Sequence, residues 1–281
     1  MTAAAGGAGQ LHGARSGVLT VLAAAHLGPT VAVTAIVALL AASEDLGFRT
    51  GALLTLAVLM GQLTIGWGND LVDAARDREV GRRDKPLADG RVSATVVRRC
   101  LVAAGAACVV LSLAAGWRSG LVHLVCLVGG GHAYNLGLKA TAWSWAPYAV
   151  AFGSLPAVVT LAGTTPAAPP AWTLAVAAML GVGAHFLNAL PDFADDAVTG
   201  VRGLPHRLGA AATRIGATSL LVAASVVAVL GPAGIPTAGS WAALGLVGAL
   251  AVVALVGRGK VPFGAAVAIA LVDVVLLTVG R

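Results

Sequence analysis

The stretch Asn69-Asp70-Leu71-Val72-Asp73-Ala74-Ala75-Arg76-Asp77, continued by Gly81-Arg82-Arg83-Asp84-Lys85-Pro86, closes an apolar run that begins near residue 50. Shifted by 119 residues it returns as Asn188-Ala189-Leu190-Pro191-Asp192-Phe193-Ala194-Asp195-Asp196, followed by Gly200, Arg202 and Pro205. Between 69–90 and 188–209, nine of 22 positions are identical without a gap, where this composition would give roughly two by chance. The physical reading is an internal duplication of a four-helix unit. Each half carries a helix that ends in a polar cassette, and the two cassettes face each other across a central cavity.

The rest of the chain is greasy. Of 281 residues, 58% are hydrophobic and 11% charged, and the mean hydropathy is +0.89. Soluble domains carry about 25% charge, so a water-soluble globule is excluded. Nine apolar runs, near 17–42, 50–69, 92–116, 119–137, 144–163, 171–191, 209–231, 238–257 and 262–280, approach the roughly 20 residues needed to cross a bilayer. The 37 glycines suit helices packed closely in lipid. The fold class expected is all-α integral membrane: nine transmembrane helices in a bundle, from two parallel four-helix repeats around a central cavity. Residues 1–16 read as a disordered tail, without the basic start and apolar core of a signal peptide, and 17–281 as one transmembrane domain.

Orientation follows from the basic residues. With nine crossings, fifteen of the eighteen Lys and Arg fall on one side, which makes that face cytoplasmic. The net charge of +6 is explained by this asymmetry; with only 5% aromatics there is no case for nucleic acid. Cys100, Cys108 and Cys126 match no metal or disulfide spacing and read as small apolar fillers.

Nine of the twelve acids lie in the windows 70–89 and 192–196. Membrane-edge carboxylates are costly and mark function. At about 100° per residue, Asp70, Asp73 and Asp77 share a helix stripe with Asn69 at its edge. Asn188, Asp192 and Asp196 form a second stripe, with Asp195 beside it. Like charges one turn apart repel, so each stripe calls for cations, and oxygen donors call for a hard divalent ion such as Mg²⁺. Basic residues follow each stripe: Arg82, Arg83 and Lys85, then Arg202 and Arg207. Carboxylates that hold a metal, next to guanidinium and ammonium groups, suit a diphosphate. Tyr134 and Lys139 add a hydroxyl and another charge. Plainer readings stand beside these: positive-inside topology for any one cation, and an interfacial belt position for Tyr134. His185 reads as a packing or hydrogen-bonded histidine on the second stripe; His26, His123 and His132 read as structural. Asp273 reads as a buried, hydrogen-bonded carboxyl.

Asn69-Asp70-x-x-Asp73-x-x-x-Asp77 with Arg82-Arg83-Asp84-Lys85-Pro86-Leu87 resembles the first signature of the UbiA-type intramembrane prenyltransferases. Asn188-x-x-x-Asp192-x-x-x-Asp196 with Leu204-Pro205-His206-Arg207-Leu208-Gly209 resembles the second, and Tyr134-Asn-Leu-Gly-Leu-Lys139 the segment between them. The resemblance implies a nine-helix fold and two Mg²⁺-binding motifs that hold an isoprenoid diphosphate, its tail in an apolar tunnel open to lipid. It makes Asn69, Asp70, Asp73, Asp77, Asn188, Asp192 and Asp196 the metal ligands. Asp73, Asp77, Asp192 and Asp196 are the catalytic acids. Arg82, Lys85, Tyr134 and Lys139, joined by Arg202 and Arg207, contact the substrate. Asn188 stands where many relatives carry Asp, and Asp195 where a small residue is common.

The function expected is Mg²⁺-dependent transfer of an isoprenoid group from a prenyl diphosphate to a lipophilic acceptor, aromatic or a quinone precursor. Trp67, Tyr148 and Phe152 are the candidates to line the acceptor site. The enzyme would be a multi-pass protein of the cell membrane, in contact with its lipid, its active site facing the cytoplasm. The alternative is a membrane terpene cyclase that ionises the same diphosphate without an external acceptor. A cation-coupled transporter is the reading from another class, against which stand the parallel repeat and the placement of the acids at helix ends.

Overall fold

The computed structural model describes residues 17–193, 196, 198, 200–258 and 261–279, and their regular structure is entirely helical. The expected tail 1–16 and Asp195 lie outside them. Each of the nine apolar runs carries helix. The first is broken: α1 (Gly17–Ala23) and α2 (Leu27–Ser43) meet at 76°. The break centres on His26, a non-glycine residue in the left-handed region at φ 54°. Thr30 Oγ1 bonds Ala25 O across it at 2.9 Å, and Trp67 Nε1 bonds Val21 O at 2.8 Å. Gly66 lets this corner pack. A Cβ there would lie 2.1 Å from Ala25 O, closer than any real contact.

The second run becomes α3 (Phe48–Glu79), 32 residues long. At 1.5 Å per residue it spans about 48 Å, against about 30 Å of bilayer hydrocarbon. Its last turns, which carry Asp70, Asp73 and Asp77, therefore reach the rim. The third run is α4 (Ala94–Ala115), N-capped by Ser93 Oγ on Val96 N. The fourth is α5 (Trp117–Val122), a π-helical turn at His123–Gly129, and α6 (Gly130–Asn135), in one helical stretch. A short 3₁₀ turn, Leu138–Ala140, leads to α7 (Ala146–Gly153) and α8 (Leu155–Thr160). The second half follows: α9 (Ala171–Ala189), a 3₁₀ turn at Leu190–Asp192, α10 (Leu204–Leu208), α11 (Ala210–Leu230), α12 (Ala238–Val256) and α13 (Val261–Val279).

Five of these helices are long and apolar enough to cross a membrane, six if the bent α1–α2 pair is one span. α12 is apolar all round, yet only Val247 and Ala254 are buried in it. A helix that shows hydrocarbon on nearly every face is stable only in lipid. The chain is a multi-pass membrane protein.

Positions 119 residues apart also agree in the backbone. α3 packs most extensively on α4, and α9 on α11, the corresponding pair 119 residues on. The glycines that end each cassette match in conformation: Gly81 has φ 70° and Gly200 77°, Gly90 82° and Gly209 81°. These left-handed values favour glycine over any side chain, which accounts for their recurrence in both halves. One apolar core joins α2, α3, α7 and α8 around Val37, Leu54 and Val158. Another joins α9, α11, α12 and α13 around Val176, Leu221 and Ile269. Asp273 is buried in the second, where Ser225 Oγ donates to its Oδ1 at 2.5 Å, as expected of a hydrogen-bonded carboxyl.

Candidate active site

The two cassettes are not built alike. The first is continuous helix to Glu79. In the second, α9 stops at Ala189 and gives way to the 3₁₀ turn. Pro191 is the cause, since it has no N–H to continue an α-helical ladder. The expected second helical stripe is thereby interrupted by one tighter turn, with α-helix again at Phe193, Asp196 and Val198, and Asp192 and Asp196 still face the first cassette.

That facing is direct. A polar pocket of about 230 Å³ is lined by Asn69, Asp73 and Asp77 from the first cassette and by Asp192 and Asp196 from the second, with Arg82, Lys85, Tyr134 and Lys139 around them. Arg82 Nη1 lies 3.5 Å from Asp192 Oδ1 and links the halves. The same guanidinium forks onto Asp84 (Nε to Oδ1 2.9 Å, Nη2 to Oδ2 2.8 Å) and holds that carboxyl down at about 2. Both acid rows thus line one pocket rather than opposite surfaces.

The carboxylates are held by cations. Lys139 Nζ, in the 3₁₀ turn after α6, donates to both oxygens of Asp73 at 2.5 and 2.6 Å. Asp73 also accepts from Arg76 at 3.0 Å and from Asn69 at 3.1 Å. Asn69 in turn donates to Asn135 Oδ1 at 3.1 Å, and Asn135 to Ile65 O at 2.9 Å, fixing α6 against α3. Burial lowers the Lys139 pKa, and the neighbouring Asp73 carboxylate opposes that shift. Asp196 has its pKa raised, first by burial; the nearby Asp192 adds to this and His206 opposes it. His206 Nε2 lies 3.0 Å from Asp196 Oδ2, its ring tilted on Phe193.

Asp70 is placed differently from its neighbours. It is 1% exposed and lines neither pocket; Lys85 Nζ donates to its Oδ1 at 2.6 Å, and His26 Nε2 lies 2.9 Å from the same oxygen. Arg202 and Arg207 also stand away from the pocket. Both are exposed, and Arg207 Nε bonds Arg202 O at 3.0 Å. On α10, His206 rather than Arg207 faces inward. Three residues at the site were not among the expected ones: His26, Arg76 and His206. Arg76 sits one turn from Asp73, and His26 opens the break before Gly28-Pro29; both placements were open to a sequence reading.

Beneath the polar pocket, and sharing His26, Asn69, Tyr134, Lys139, Asp192, Asp196 and Val201 with it, lies a mainly apolar cavity of about 740 Å³. Asn188 opens onto it. Its walls come from α2, α3, α7, α9 and α13. Tyr148 stacks on His185 with centroids 4.6 Å apart, and Tyr134 meets Tyr148 edge-on at 5.2 Å. Tyr148 and Phe152 line the cavity as expected; Trp67 is buried against α1 and does not.

Among the described residues no three acidic, histidine or cysteine side chains form a ready-made metal cluster. The donor set is nonetheless that of a hard cation. Carboxylate and amide oxygens from two elements border one pocket, and no cysteine is near it.

An α-helical membrane bundle with paired acid cassettes over an apolar chamber is a recognisable class of lipid enzyme, and comparison with known proteins defines it. The profile of the UbiA prenyltransferase family matches residues 29–269, and the chain belongs to that family. The fold agrees with an apo UbiA homologue from Aeropyrum pernix K1 at TM-score 0.71 and 17% identity, over 90% of this chain and 98% of that one. A UbiA homologue from Archaeoglobus fulgidus bound to GPP and Mg²⁺ gives 0.67 and 16%, over 92% and 100%. A digeranylgeranylglyceryl phosphate synthase gives 0.65 and 18%, over 94% and 98%. No curated protein matches by sequence. Members of the family are prenyltransferases, so the chain is an enzyme of that kind.

Proposed function

We propose that this chain crosses the cell membrane nine times with its basic face in the cytoplasm. There it carries out Mg²⁺-dependent transfer of a prenyl group from an isoprenoid diphosphate to a lipophilic acceptor. One observation carries the reading: the acids of both halves, with Arg76, Arg82, Lys85 and Lys139, line one polar pocket that opens into a larger apolar cavity. The A. fulgidus homologue with GPP and Mg²⁺ supports the choice of ligands.

In this reading Asn69, Asp73 and Asp77, with Asn188, Asp192 and Asp196, hold Mg²⁺, and Asp70 contributes through Lys85. Mg²⁺ held there would supply Lewis-acid charge to the diphosphate leaving group. The protein does the rest. Arg82, Lys85 and Lys139 present positive charge where negative charge grows on the leaving group, which favours the transition state over the bound substrate. Tyr134, at the junction of the two spaces, marks the level of the reacting carbon. The apolar walls keep water from the allylic cation until the acceptor attacks. Arg202 and Arg207, exposed at the rim, attract the anionic head before binding.

The test is turnover of prenyl diphosphates by purified protein, with mass spectrometry of lipid-soluble products. Asp73→Ala and Asp192→Ala should abolish product while the protein stays folded, and EDTA should do so reversibly. Full activity in either case removes the metal–diphosphate assignment. Terpene hydrocarbon or alcohol formed without added acceptor would establish the cyclase instead.

A further inference from the structure

Two polar side chains in the apolar cavity are left over by this account. Gln62 on α3 is 9% exposed and lines the cavity, and its carboxamide has no hydrogen-bond partner among the described residues. It lies on the same face as Asn69 but two turns deeper, about 10 Å along the helix. His185 on α9 is 3% exposed and lines the same cavity. An unpaired amide in apolar surroundings is costly, so such a group points to a ligand.

The protonation of His185 can be worked out from its partner. Ser144 Oγ accepts the Leu204 N–H at 2.9 Å and lies 3.0 Å from His185 Nε2. A backbone N–H can only donate, so among the described residues the hydroxyl proton of Ser144 has Nε2 as its acceptor. The imidazole proton is then on Nδ1, which has no hydrogen-bond partner among the described residues and belongs to a ring lining the cavity. His185 therefore offers an N–H donor, and it does so beside the flat faces of Tyr148 and Phe152, which stack at 6.3 Å.

Among the described residues the cavity has no equivalent provision for an anion. Of the basic side chains lining it, Lys139 is bound to Asp73, His26 lies against Asp70 and His206 against Asp196. A carboxylate placed here would meet Asp192 and Asp196 without a counter-charge of its own.

We propose that Gln62 and His185, with the shelf of Tyr148 and Phe152, form the acceptor subsite. It takes an uncharged planar ring bearing oxygen, a phenol or quinol, and disfavours an aromatic carboxylate. This rests on the prenyl-transfer reading and specifies its second substrate.

The experiment uses the full chain in nanodiscs with Mg²⁺ and geranyl diphosphate, offering 1-naphthol or 1-hydroxy-2-naphthoate as acceptor. Geranyl diphosphate binding is measured separately. The naphthol should be prenylated at least tenfold more efficiently than its carboxylate. Gln62→Leu and His185→Phe should each raise the KM for naphthol about tenfold, the worth of one hydrogen bond in such a site, and leave the Kd for geranyl diphosphate within twofold. His185→Gln, which keeps an N–H donor, should recover part of the loss. Preference for the carboxylate, or an unchanged KM in both variants, overturns the proposal. Should a variant fail to fold, the preference of the parent protein decides. Diphosphate binding and cleavage without naphthol product sinks the subsite alone. Failure to bind geranyl diphosphate removes the prenyl-transfer reading and the subsite with it.

Discussion

Replacing Lys139 by Met removes one partner of a buried, doubly bonded ion pair in the site. The ammonium is 7% exposed and holds both oxygens of Asp73, itself 8% exposed, at 2.5 and 2.6 Å. Removing one partner of a buried ion pair costs about 3–5 kcal/mol, because the remaining charge is stranded. Here Arg76 and Asn69 still reach Asp73, which puts the expected loss near about 3 kcal/mol, the low end of that range. Thermal unfolding in detergent, followed through the six tryptophans, would read it as a clear fall in Tm. Mg²⁺ adds the decisive comparison. If Asp73 is a metal ligand, a divalent ion replaces the missing positive charge and protects the variant more than the parent. Saturation at one hundred times Kd would return about 2.7 kcal/mol. Turnover should remain about 10²–10³-fold down, since metal does not restore the lost donor at the leaving group. A variant that melts with the parent, or that Mg²⁺ stabilises no better, refutes both the strength of the pair and the role of Asp73.

Other perturbations probe separate parts of the site. Arg82→Gln removes the link from the first cassette to Asp192 and should lower kcat/KM for prenyl diphosphate about a hundredfold, measured by diphosphate release at fixed Mg²⁺. Asp84→Asn tests the fork that positions Arg82. The folded carboxyl sits at about 2, below its ordinary 3.8, so its contribution to stability is present above pH 4 and disappears as pH falls through 2. The Tm gap between variant and parent should accordingly be small and constant from pH 5 to 8 and close towards pH 2. Gly66→Val drives a side chain into Ala25 O and should destabilise the α1–α2 corner by about 1–3 kcal/mol or more, seen as a lower Tm with diphosphate binding weakened through the displaced His26.

Much of this arrangement was written in residue spacing. The 119-residue offset related α3 to α9, and the glycines at 81, 90, 200 and 209 belong to the matched positions because both halves turn the chain the same way. Less legible was anything that depends on a segment folding back. Helical geometry places Asp70 beside Asp73 and Asp77, but it does not show Lys85 returning from a loop fifteen residues on to claim that carboxylate. Pro191 was in plain sight, yet the acid spacing suggested an uninterrupted helix through it. His26 read as structural, and His206 only as part of a motif, because their partners lie 44 and 10 residues away along the chain. The inward turn of His206 at the expense of Arg207 depends on how α10 sits against α11, and no periodicity expresses that. Gln62 carried no signal at all: a single amide in an apolar helix gains meaning only once the space beside it is seen.

The shared wall between the polar pocket and the apolar cavity has a consequence for how substrate arrives. An isoprenoid diphosphate dissolved in one leaflet already floats with its head at the water line and its chain among the acyl tails. Under the proposed reading the protein preserves that posture, so capture is a sideways glide along the leaflet and never a somersault across it. The product, stripped of its anchor, has no further reason to stay at the surface and is released to sink toward the bilayer midplane.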